Sequence, residues 1–219
     1  MAASAQIAPQ TIPQLASQTD GVVKRALWLY GLYMLLNNAA FLLGYYFLPA
    51  GFMRNSPQVA VGGMIAQQES FWGQFTMTLL FNLFIMPGLA VLLNLTRVRD
   101  TPTGYVLPIT LGIIGGLIAG TNSFAASDLT QYNAWEGTAL SLSIGGMEML
   151  GYVLIVAATA NLTTEQYRSW WRWSGEWKPT KVARLRDLRL TRAEIITIAI
   201  AALLIVIAAW SETVMAFAA

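Results

Sequence analysis

The chain has 219 residues, of which 56% are hydrophobic and only 11% charged, with a formal net charge of +2. Soluble domains carry about twice that share of charge, so the composition predicts a single membrane domain. The chain holds no cysteine and no histidine. Disulfides, iron–sulfur clusters, thiolate nucleophiles and nucleophile–histidine triads are thereby excluded, and the usual haem, copper and chlorophyll ligand is missing.

Residues 1–18 are rich in Ala, Gln, Pro and Ser and carry no charge. A secretory signal combines a basic start with an apolar run, and this stretch has neither. Residues 1–25, ending with Asp20, Lys24 and Arg25, are therefore expected to be a flexible tail. Residues 26–219 are expected to form an all-α transmembrane bundle of five spans.

Span 1 is expected at 26–48. Trp28, Tyr30 and Tyr33 near one end and Tyr45 and Tyr46 near the other resemble the aromatic belts of a membrane helix. Pro49 and Gly51 stop it, and the Gly-rich loop that follows can hold a short interfacial helix around Val59 to Gln68. Span 2, at 71–95, carries Asn82 near its centre and then Pro87–Gly88, which predicts a kink because proline removes a backbone donor. Arg97, Arg99 and Asp100 make a short charged turn. Span 3, at 104–125, places Gly112, Gly116 and Gly120 four apart, a small-residue stripe that lets another helix approach closely. Span 4, at 139–162, contains Glu148 close to its middle.

Residues 163–192 are the long polar segment. Trp170, Trp171, Trp173 and Trp177 alternate with Arg168, Arg172 and Lys178. Val182, Leu185 and Leu188 then recur among Lys181, Arg184, Arg186 and Arg189. Thr163 with Gln166 has the spacing of a helix capping box, so a basic interfacial helix is expected here, facing lipid or a partner. Thr191 with Glu194 is a second capping box and opens span 5, at 193–217. With the N-terminus inside, twelve of the thirteen basic residues are cytoplasmic and only Arg54 is outside. That bias follows the positive-inside pattern and puts the C-terminus outside. The bacterial inner (plasma) membrane is the expected location.

At about 1.5 Å per helical residue, Asn37 and Asn38 of span 1, Asn82 of span 2 and Glu148 of span 4 reach a similar depth. Glu212 lies about 10 Å from the midplane by the same rise. Ser141, Gly145, Glu148 and Gly151 share one face, as do Ala201, Ala208, Ala209 and Glu212. Small-residue faces pack against other helices, so both carboxylates are expected to be buried in protein. For the asparagines, simple interhelical hydrogen bonding, worth about 0.6 kcal/mol each, is the plainest role. For Glu148 two roles stand open. It is a structural carboxyl accepting from Asn82 or a hydroxyl, or a proton- or cation-binding group on a polar pathway.

The Asn37–Asn38 pair, Phe81-Asn82-Leu83 with Gly88, Gly145-x-x-Glu148 and the run ending Ala209-Trp210-Ser211-Glu212 resemble the stage II sporulation protein M family across residues 26–215. Relatives often carry a histidine just before the Gly-x-x-Glu, where Ile144 stands here, and the basic Trp-rich segment is long for the family. The resemblance implies a membrane anchor and scaffold for partner proteins, without catalysis of its own. The family is widespread outside spore formers, so it does not fix the partner.

Two functions compete. One is a non-catalytic scaffold or accessory subunit contacting lipid, other membrane proteins or further copies of itself. The other is a small transporter or channel using Asn38, Asn82 and Glu148. An intramembrane protease lacks its aspartate pair or histidine in this chain. No cofactor or metal is expected, lipid is a candidate ligand, and no nucleic-acid motif is present.

Overall fold

The computed structural model describes residues 12–124, 135, 144–170 and 178–218. They are mostly helical. Helix α1 (Ile12–Phe47) is followed by α2 (Pro57–Ala66) and α3 (Phe71–Leu79). A π-helical turn (Leu80–Ile85) then leads into α4 (Met86–Asn94). Strands β1 (Thr96–Val98) and β2 (Thr101–Pro102), a 3-10 turn (Thr103–Tyr105) and α5 (Val106–Gly120) come next. Helix α6 (Ile144–Thr159), β3 (Glu165–Tyr167), β4 (Thr180–Lys181), a 3-10 turn (Leu185–Asp187) and α7 (Arg192–Ala218) complete the described chain.

Among the described residues, four helical stretches are long and apolar enough to cross a membrane: Gly21–Phe47, Phe71–Asn94, Thr103–Gly120 and Arg192–Ala218. Of the expected span 4, residues 139–143 lie outside the described residues, and α6 has 16 residues, short of the ~20 that cross a bilayer. Helix α6 is nonetheless the centre of the packing. It touches α1, α4, α5 and α7, and Val153, Val156, Ala157 and Ala158 are fully buried.

Several local expectations change. Helix α1 starts at Ile12, well inside the expected tail, with Pro13 in the first turn where its missing N–H leaves no bond unmade. Tyr33 is buried and Tyr30 donates to the Gly146 carbonyl at 3.2 Å, so this part of the aromatic belt faces protein. Trp28 stays exposed. In the second span the disturbance comes before the proline. Pro87 cannot donate and its ring crowds the carbonyl four residues back. The chain widens into the π turn ahead of it, where the Met86 N–H reaches the Phe81 carbonyl. Helix α5 ends at Gly120, earlier than expected, because Asn122 turns the chain with φ of 47°.

The glycine stripe of α5 lies against α1. A Cβ on Gly116 would collide with the Asn37 carbonyl, and one on Gly120 with the Phe41 carbonyl. On Gly112 it would come within 3.0 Å of the Tyr33 ring. Backbones this close explain why α1 and α5 make one of the two largest helix contacts, the other being α6 with α7. At the far end of α7, the Trp210 and Phe217 rings meet Phe71 at 5.1 and 5.8 Å, fastening α3.

The described part of the polar segment is not the expected basic helix. Among the described residues of 163–192 there are strands and a 3-10 turn, so the domain is not purely α. The sheet has the order β2-β1-β3-β4. β1 pairs with β3 in parallel, Thr96 opposite Glu165, and the outer pairs are antiparallel. The first capping box does not form, because Gln166 donates to the Arg99 carbonyl instead. A helix of this length is marginal alone, whereas the chain leaving α4 offers a ready row of backbone partners. The Val182, Leu185, Leu188 spacing coincides with the three-residue repeat of a 3-10 helix, and one such turn forms at Leu185–Asp187.

The second capping box does form. The Glu194 carboxylate accepts from the Thr191 N–H at 2.8 Å, and Thr191 Oγ1 accepts from the Glu194 N–H at 3.3 Å. Glu194 is also buried, accepts from Asn161 at 3.0 Å and lies 3.9 Å from Arg25. The starts of α1's apolar stretch and of α7 therefore meet the end of α6, beside the sheet.

Candidate functional site

Beside α6 lies a cavity of about 640 Å³, within the roughly 300–1,000 Å³ usual for small-molecule sites. Every membrane-length helix contributes to its wall, and α2 borders it as well. Its polar groups are Tyr33, Thr78, Asn82, Glu148, Tyr152 and Glu212 among others, and no Lys or Arg lines it among the described residues.

Each polar group arrives for a local reason. Glu148 and Tyr152 are four apart on α6, so they share a face. The Tyr152 hydroxyl donates to Glu148 Oε1 at 2.5 Å. A hydroxyl donor was one of the alternatives open for Glu148, and Tyr152 is a partner the sequence had not singled out. Gly145, one turn earlier, would meet nothing within 4 Å if it carried a Cβ, so that flank of Glu148 is open. Gly151 is the reverse case, since a Cβ there would reach Ile205 Cγ1 at 2.6 Å. The small-residue face of α6 is thus divided. Its Gly151 end packs on α7 and its Gly145 end opens toward the cavity. Ser141 lies outside the described residues.

Asn82 sits in the π turn, and Thr78 one turn before it. Thr78 is 1% exposed, and its hydroxyl has no hydrogen-bond partner among the described residues. On α7, Ala201, Ile205, Ala208 and Ala209 are buried while Glu212 is exposed. Glu212 was expected to be a second buried acid. It lines the cavity with part of its surface exposed, beside the fully buried Thr213.

Asn37 and Asn38 do not join this group. Adjacent helical positions point about 100° apart. Asn37 is buried in the seam with α5 and donates to the Gly112 carbonyl at 3.2 Å. Asn38 donates to the Met34 carbonyl of its own helix at 2.8 Å. Of the expected midplane cluster, Asn82 and Glu148 line the cavity, as does Glu212.

Two further polar residues carry structure that spacing alone did not single out. Asn94 is fully buried and donates to the Val156 carbonyl at 2.9 Å and to Thr159 Oγ1 at 2.8 Å. It closes the junction between α4, α6 and the sheet. Glu194 was legible as a cap but not as the buried partner of Arg25 and Asn161.

Of the expected lipid- or partner-binding residues, Trp171, Arg172, Trp173 and Trp177 lie outside the described residues. Trp170, Lys178, Lys181, Arg184, Arg186 and Arg189 are all exposed. Arg189 donates to the Arg186 and Leu188 carbonyls at 2.7 and 2.8 Å, which holds the turn around Leu185–Asp187.

Comparison of the chain with protein-family models, curated proteins and solved structures finds no match.

Proposed function

We propose that this chain is a non-catalytic, five-pass protein of the bacterial inner (plasma) membrane. It serves as a scaffold or accessory subunit that resembles the stage II sporulation protein M family, with a cytoplasmic N-terminus and the C-terminus outside. The observation that carries the reading is the parallel pairing of β1 with β3. It turns two polar connections into one folded platform anchored to the bundle by Asn94. Lys178, Lys181, Arg184, Arg186 and Arg189 stand exposed on it or beside it. A fixed array of cations suits an acidic partner surface or anionic lipid, where each basic residue contributes about 1 kcal/mol near a charged membrane. A loose basic loop would satisfy topology without needing a sheet.

Affinity recovery from gently solubilised membranes tests it. The intact chain should bring down a partner in fixed ratio, and replacing Lys181, Arg184, Arg186 and Arg189 by alanine should release it. Recovery of this protein alone from both would defeat the scaffold reading.

The cavity favours a second reading, a small transporter or channel with Asn82 and Glu148 at its midplane. Irregular helix turns and polar groups at that depth are usual in transporters, and the π turn supplies one. Glu148→Gln should then abolish proton or cation flux in reconstituted vesicles, and unchanged flux would remove Glu148 from any pathway.

A further inference from the structure

We propose that the cavity beside α6 binds a membrane-borne amphiphile with a protonated amine head, the ammonium held at Glu148 and Glu212 and the hydrocarbon tail along the α4 side. The inference rests on the cavity and not on docking at the sheet, so either can fail without the other.

Three independent features of the wall point to this chemistry. The first is its sign. Two carboxylates border the space, and no basic side chain among the described residues does. Carboxyl groups within a bundle in lipid are costly unless something supplies charge and donors. An ammonium supplies both.

The second is an unmet acceptor. The Thr78 hydroxyl is buried against the cavity, with no hydrogen-bond partner among the described residues. A buried hydroxyl without a hydrogen bond is costly, because its lost contact with water is not replaced. An amine head has several N–H donors, so it can bond a carboxylate and still reach a hydroxyl. A quaternary ammonium has none to give.

The third is the apolar remainder. Ile85, Met86 and Leu89 line the cavity, and Ile85 and Leu89 are also exposed on the outside of the bundle. That stretch of wall is continuous with the surface that faces acyl chains, so a ligand can enter from the bilayer with its tail left in an apolar setting. Phe81, Tyr33 and Tyr152 add ring faces that suit a cation. A bare divalent ion fits less well, because no three acidic side chains come together among the described residues.

The test uses the full chain in phosphatidylcholine nanodiscs and a diazirine-bearing hexadecylamine. Photolabelling should map to peptides holding Thr78 to Leu89 and Gly145 to Tyr152. Glu148→Gln should lower it about tenfold, the loss of one charged hydrogen bond. A probe with the same chain and a sulfate head should not label these peptides. Excess hexadecylamine should compete and butylamine should not.

Equal labelling by the sulfate probe would overturn the proposal. So would labelling indifferent to both Glu148→Gln and Glu212→Gln, or labels confined to the outer face of α7. Competition by butylamine as strong as by hexadecylamine would mean a water-borne amine and would overturn the membrane-borne ligand. If Glu148→Gln does not fold, Thr78→Val, which keeps the side-chain shape, decides the matter. It should weaken labelling several-fold, and no change would count against the site.

Discussion

The Tyr152 hydroxyl donates to Glu148 at 2.5 Å, one turn along the most enclosed helix of the bundle. The carboxyl is held by its own helix and not by a neighbour, so it keeps its place on the cavity wall even if surrounding helices shift. Tyr152→Phe and Glu148→Leu, each of which removes the bond, should each destabilise the protein. In a double-mutant cycle they should couple by about 1 kcal/mol, read from unfolding midpoints in bicelles. Simple additivity would mean the bond contributes nothing to the fold.

Gly116 faces the Asn37 carbonyl across the seam between α1 and α5. Gly116→Ala should force the helices apart and cost about 1–3 kcal/mol, the usual penalty of overpacking. Gly62→Ala on α2 meets nothing within 4 Å. It should be neutral or stabilising by up to about 1 kcal/mol, because alanine is the better helix former. Thermal unfolding of both variants checks the contrast.

Asn94 and Gly104 are a matched pair. The Asn94 amide occupies the space where a Gly104 side chain would stand. Gly104→Ala should therefore be destabilising, and so should Asn94→Ala, by about 1–3 kcal/mol for its lost buried hydrogen bonds. The double variant should lose less than the sum, since removing the amide makes room for the methyl group.

At the start of α7, Thr191→Ala should cost about 1 kcal/mol, as loss of an N-cap does. Glu194→Ala should cost about 1–3 kcal/mol more, because Glu194 also holds Asn161 and faces Arg25. Equal losses would show that the cap is all that Glu194 provides.

The proposed five-span topology has a direct readout. The chain has no cysteine, so single Lys181→Cys and Ala218→Cys variants report on one position each. An impermeant maleimide should label Ala218→Cys in intact cells, and Lys181→Cys only after the membrane is opened. Labelling of both from the same side would mean that α7 does not cross the membrane, and labelling of Lys181→Cys alone in intact cells would overturn the proposed orientation.

Much of the frame was legible from residue order because its causes are local. Apolar length marks the four membrane-length helices, the Thr191–Glu194 spacing marks the start of α7, and glycines four apart mark the seam that α5 makes with α1. Of the candidate site, Asn82, Glu148 and Glu212 could be named in advance, since an ionisable or amide group in an apolar run is conspicuous. Which of them share a space could not be. Rotation about a helix axis sends Asn37 and Asn38 elsewhere, and the place of Glu212 on the cavity wall depends on how the helices pack around it. The pairing of β1 with β3 joins segments almost seventy residues apart, and no local pattern encodes such a meeting. Tertiary structure alone also brought Thr78, Tyr152 and Asn94 to their places. Each is an ordinary polar residue whose importance arises from what surrounds it, because a hydrogen-bonding group gains weight only when packing removes water from around it.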